Sequence, residues 1–123
     1  MRDVVLVHSN EKLADLYHSK IKKTFRVNTA HDGLTAIRLI KHVKPHLVLT
    51  EYDLPWLSGL GVLKFVRQNS VLATIPVLVI SHRDPDPEAL DFGASEWLKI
   101  PTVSVEDIAN RVIYHLMTNK IIK

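Results

Sequence analysis

The stretch His46-Leu-Val-Leu-Thr-Glu-Tyr-Asp-Leu-Pro-Trp-Leu-Ser-Gly59 orders the reading of this chain. Leu47-Val48-Leu49 is short, branched and apolar on both faces, the pattern of a buried strand rather than a helix. A strand covered on both faces belongs in the middle of a parallel sheet flanked by helices. The apolar run stops at two acids, Glu51 and Asp53, and Pro55 and Gly59 then mark a loop. Open α/β sheets place their ligand sites at the carboxyl ends of central strands, where these acids fall.

Working outward, Val4-Val5-Leu6-Val7 is a second such run, ending at His8-Ser9. Asn10 is placed to cap a helix with Glu11 in its first turn and Leu13, Leu16, Tyr17 and Ile21 as its apolar face. Phe25 to Thr29 alternates like a half-buried edge strand. Asp32 caps a helix from Gly33 to Lys44, which Pro45 ends.

Beyond the Glu51 loop, Leu60 to Gln68 reads as a helix and Val77 to Ile80 as another apolar strand, ending at Ser81-His82. Pro85 and Pro87 allow at most a short helix over 88–92, stopped by Gly93. Glu96 to Lys99 is the fifth strand. Ser104-x-x-Asp107 has the form of a capping box opening a last helix to about Met117. Alternating strands and helices imply a parallel sheet with helices on both faces and right-handed crossovers.

Composition narrows the classes. A chain of 123 residues with 46% hydrophobic and 24% charged residues suits a single domain, here 1–123, with one real core. With no cysteine, disulfides and thiolate metal sites are out. No apolar run reaches membrane-spanning length and the start lacks a secretion pattern, so no membrane and a cytoplasmic location are expected. The net charge of +3 is explained by solubility, and nucleic acid is expected only through an attached effector domain, if one exists.

Three motifs in order, Glu51-x-x-Leu-Pro-x-x-x-Gly59, Pro76-Val-Leu-Val-Ile-Ser81 and Gly93-Ala94 followed by Trp97-Leu98 and Pro101, carry a resemblance. Over nearly its whole length the chain resembles the receiver domain of bacterial two-component response regulators. The resemblance implies a flavodoxin-like three-layer α/β/α sandwich with five parallel strands in the order 2-1-3-4-5. It also implies a phosphoacceptor at the end of the third strand, where this chain has Glu51. The acidic pair that helps hold Mg²⁺ falls on His8 and Ser9, and the lysine that pairs with the phosphate falls on Ile100, with Lys99 one position early. Ser81 keeps the hydroxyl, Trp97 fills the switch-aromatic position, and Asp53 occupies the loop position that offers Mg²⁺ a carbonyl.

Losing the acidic pair and the lysine removes the charges that phosphoryl transfer needs, and glutamate carries its carboxylate one methylene further out than aspartate. The chain therefore reads as a degenerate receiver, a pseudo-receiver, that is not an enzyme and binds no Mg²⁺ or other cofactor. Its expected role is phosphorylation-independent protein interaction through the region of the fourth helix, fifth strand and fifth helix, with a homodimer also open. The short segment from His82 to Phe92 should remodel that face.

Other readings stand beside this one. One is a working receiver with an atypical acceptor, and another a flavodoxin-like ligand-binding protein, although His8-Ser9-Asn10-Glu11 lacks a glycine-rich phosphate cradle. Glu51 mimics the phosphorylated state or marks a lost switch; the second is the reading taken. Glu51 and Asp53 are the metal candidates, with His8 beside them for a transition metal, although a hydrogen-bonded histidine is the simpler reading. Trp97 is a switch or a fixed core aromatic, and Trp56 either a contact site or packed over its loop. By strand alternation, Lys99 should point away from Glu51.

Overall fold

The computed structural model describes residues 2–122, with side chains through residue 118. Five strands, β1 (Asp3–Val7), β2 (Arg26–Ala30), β3 (Leu47–Glu51), β4 (Val77–Ser81) and β5 (Glu96–Lys99), form one sheet. All pairings are parallel, in the order β2-β1-β3-β4-β5. The helices are α1 (Glu11–Ile21), α2 (Gly33–Val43), α3 (Gly59–Gln68), α4 (Pro87–Asp91) and α5 (Val105–Ile122). This is the flavodoxin-like arrangement that the resemblance implied.

The two-residue period of the strands divides the core. Val4 and Leu6 of β1, Leu47 and Leu49 of β3, and Leu78 and Ile80 of β4 pack on one side with Tyr17 and Ile21 of α1 and Ile108 and Val112 of α5. Val5, Val7, Val48 and Val77 face the other side, against Ala36 and Ile40 of α2 and Val62, Leu63 and Val66 of α3. Each fully buried Val, Leu or Ile side chain contributes roughly 1.5–3 kcal/mol. β1, β3 and β4 are apolar on both faces because helices cover both.

The helix starts follow their caps. Asn10, Asp32 and Ser58 accept the N–H of Leu13, Thr35 and Gly61 through their side chains. At α5, Ser104 Oγ accepts the Asp107 N–H at 3.0 Å, and Asp107 Oδ2 accepts the Ser104 N–H at 3.4 Å, completing the capping box. α5 runs on to Ile122, past Met117.

One expectation fails in α1. Its buried residues are Ala14, Tyr17 and Ile21, while Leu13 and Leu16 are exposed. The small Ala14 brings the helix down on that stripe, and the two leucines lie on its flank.

Gly59 matters for close approach more than for turn formation. A Cβ there would stand 2.4 Å from the Glu51 carbonyl oxygen, so α3 starts directly against the end of β3. Gly33 is tighter still, 1.9 Å from the Leu57 carbonyl oxygen, which seats the β3–α3 loop on the start of α2.

Candidate functional site

Glu51 ends β3, half-buried, among donors from the end of β1. Its Oε1 accepts the Ser9 N–H at 2.9 Å and the Ser9 hydroxyl at 2.8 Å. Its Oε2 lies 3.6 Å from Nε2 of His8. His8 is only 2% exposed, its ring tilted against Tyr17 with centroids 5.8 Å apart. Its Nδ1 accepts the Asn10 N–H at 3.1 Å, which puts the proton of the neutral ring on Nε2, facing Glu51. The His8 carbonyl accepts from His31 Nδ1 at 2.9 Å.

Burial pushes the His8 imidazole below its ordinary value, and His31 adds to this, while the Glu51 carboxylate opposes it. Burial also raises the Tyr17 phenol, with the negative charge of Glu51 reinforcing it.

The other site residues lie elsewhere. Ser81 is buried, and its Oγ accepts the Arg83 N–H at 2.9 Å rather than bonding Glu51. Lys99 shares a strand face with Trp97, and its ammonium pairs with Asp84. Ile100 follows on the opposite face and packs into the core beneath α5. Glu51 follows Leu49 by two and so lies on that same side. The alternation places an apolar residue, not the lysine, on the Glu51 side of the sheet.

Asp53 is turned outward and accepts from Arg83 Nε at 3.1 Å. His8, Glu51 and Asp53 therefore do not converge, and among the described residues no three His, Cys, Asp or Glu side chains gather as a metal site. Trp97 is half-buried, tilted against Tyr52 with ring centroids 5.0 Å apart, and donates its indole N–H to the Arg83 carbonyl at 2.9 Å. Trp56 is 83% exposed at φ 69°, which removes the reading that packs it over its loop.

Several partners were missed from sequence. Tyr52, Arg83, Asp84 and Asp86 all contact the site residues or one another, but nothing in their spacing announces it. Asp86 before Pro87 did carry a signal, a cap followed by proline at the first helical position, and Asp86 caps α4.

The response regulator receiver domain profile matches residues 4–112 of the chain. The chain belongs to the response regulator receiver domain family. Its similarity extends to the uncharacterized transcriptional regulatory protein YcbL of Bacillus subtilis (strain 168), 36% identical over 102 residues, 80% of this chain and 43% of that protein. The two-component response regulator ARR7 of Arabidopsis thaliana is 33% identical over 92 residues, 72% of this chain and 44% of its own. The chain thus spans less than half the length of these curated relatives. Among solved structures, the signal receiver domain of a putative Luxo repressor protein from Vibrio parahaemolyticus superposes with a TM-score of 0.86 at 27% identity, covering 98% of this chain and 93% of that one. The receiver domain of the putative response regulator NarL from Mycobacterium tuberculosis gives 0.77 at 28% identity, covering 91% and 93%.

This is therefore a response regulator receiver domain of two-component signalling, and its Mg²⁺ site can be tested against its own residues. Mg²⁺ takes oxygen acceptors in near-octahedral order. Where receivers offer acids after β1, this domain gives Glu51 two hydrogen bonds from Ser9 and sets His8 Nε2 3.6 Å from its other oxygen. Asp53 spends its carboxylate on Arg83. The residues present do not fit the ion. Among the described residues no helix is long and apolar enough to cross a membrane.

Proposed function

We propose that this receiver domain works without phosphorylation, as a non-enzymatic, cytoplasmic protein-interaction module that presents the α4–β5–α5 face to a partner. What carries the reading is the hydrogen bonding of Glu51. Both Oε1 bonds come from Ser9, and the nearest cation-forming group is His8 at 3.6 Å. Mg²⁺ and lysine would stand in those places in a phosphorylated site, but here Lys99 belongs to Asp84.

A glutamate acting as a built-in phosphate mimic would engage the hydroxyl at the end of β4. Ser81 bonds Arg83 N–H instead, which favours a lost switch over a mimic. Leu90 of α4 and Tyr114 of α5 are exposed apolar side chains on the two helices of that face. These two side chains are the apolar surface a partner, or a second copy, would cover.

The test uses the full gene product as bait in its native cell, with captured partners quantified for wild type and Glu51→Gln. Unchanged capture is expected, because Gln keeps an oxygen for both Ser9 donors. A clear fall in capture with unaltered thermal stability would establish the mimic instead. In parallel, millimolar Mg²⁺ should leave tryptophan fluorescence unmoved. A saturable response that Glu51→Gln abolishes would contradict the reading.

A further inference from the structure

The loop from β4 into α4 is held by side chains of elements it does not belong to. At five residues, α4 is too short to sustain itself, so its position depends on what grips it. Asp86 is the residue with two bonds. Its Oδ1 accepts the Glu88 N–H at 3.0 Å and caps the helix, while its Oδ2 accepts the Tyr52 hydroxyl.

Tyr52 follows Glu51 directly, and its backbone is fixed. Its N–H donates to the Ile80 carbonyl and its own carbonyl accepts the Gly59 N–H, both at 2.8 Å. The phenol is therefore a rigid arm from the end of β3 to the start of α4. Beside it, Trp97 packs at a tilt of 53° against the Tyr52 ring and donates its indole N–H to the Arg83 carbonyl. The two aromatic rings support each other, and their polar tips hold the same loop at residues 83 and 86.

We infer that Tyr52 and Trp97 form a latch that fixes α4, with Asp86 joining the end of β3 to the cap of that helix. The latch runs from the residue after Glu51 to α4 without passing through Ser81. The rings lie tilted against each other, so the aromatic at position 97 is held both by its ring contact with Tyr52 and by its N–H. Only the consequence at the partner face rests on the function proposed above; the latch itself is tested without a partner.

The test is amide exchange followed by NMR at Leu90 and Phe92. Their N–H groups donate to the Asp86 and Glu88 carbonyls at 3.1 and 3.0 Å. Tyr52→Phe removes one hydroxyl and keeps the ring against Trp97. Exchange at both amides should rise about tenfold or more, which corresponds to about 1.4 kcal/mol of local opening, while β1 and β3 amides keep their rates. Trp97→Phe should act on the same amides, and the double variant should fall short of the product of the two effects, since both grip one segment. Wild-type exchange in α4 of Tyr52→Phe, or a rise shared equally with β1 and β3, would overturn the latch. If α4 loosens in Tyr52→Phe yet partner capture is unchanged, the latch stands and the assignment of the partner to that face falls.

Discussion

His8 stands where receivers carry an acid, and its burial sets a pH dependence. Held below the ordinary imidazole value of 6.5, chiefly by burial, it stays neutral in the folded protein at pH values where the unfolded chain takes up a proton. The stability this gives is full above about pH 6.5 and is lost as pH falls through the folded-state value. Urea unfolding between pH 7 and the onset of carboxylate titration should show the midpoint falling with pH. His8→Gln should flatten that slope. An equal slope in both proteins would mean that His8 is as accessible to protons folded as unfolded. The identities at positions 8, 9, 51 and 100 were legible in the sequence, because each is a substitution at a position fixed by the strand ends. What each side chain binds was not. Lys99 faces away from Glu51 for a reason the period of a strand supplies, but its choice of Asp84 depends on a loop that no local pattern describes.

Arg67 shows how an element can be held by a residue that sequence reading passes over. It lies in the last turn of α3, and burial lowers its guanidinium. It donates to the Gly93 carbonyl from Nη2 at 2.7 Å and from Nε at 3.1 Å, and from Nη1 to Ile75 at 2.6 Å and Ala73 at 3.2 Å. One side chain thus ties α3 to the entry of β4 and to the turn between α4 and β5, where Gly93 sits at φ 89°. Arg67→Met keeps length but leaves those carbonyls unpaired and should cost about 2–3 kcal/mol in denaturant unfolding. Arg67→Lys should recover only part, since an ammonium carries all its donors on one atom and cannot span carbonyls that the guanidinium reaches from three nitrogens. Full stability in Arg67→Met would show that water replaces the guanidinium at no cost. At the other end of α3, Gly59→Ala drives a methyl into the Glu51 carbonyl and should destabilise by about 2 kcal/mol or more, with the loss read as a lower thermal midpoint. The loop pattern singled Gly59 out as a turn signal, but its real constraint is a contact between β3 and α3 that only the packed structure contains.

On the scale of the whole molecule, the fold was legible because its signals are redundant. Three apolar runs without polar alternation demand cover on both faces, and caps at Asn10, Asp32 and Ser104 separate the elements between them. The exposed flank of α1 was not legible, because Leu13 and Leu16 have the spacing of a core face and Ala14 does not advertise itself as the contact. The proposed loss of phosphorylation likewise rests on the assembled molecule. It takes β1 to bring Ser9 and His8 to Glu51, and β5 with the β4–α4 loop to keep Lys99 on Asp84. Adding Ile100→Lys alone should not enable phosphoryl transfer, since Ser9 and His8 still occupy the place of the acids. The decisive measurement is intact mass after incubating the wild-type protein with a small-molecule phosphodonor and Mg²⁺. No phosphoryl adduct is expected, with or without the ion. A stoichiometric adduct that depends on Mg²⁺ and disappears in Glu51→Gln would show a working receiver with glutamate as its acceptor.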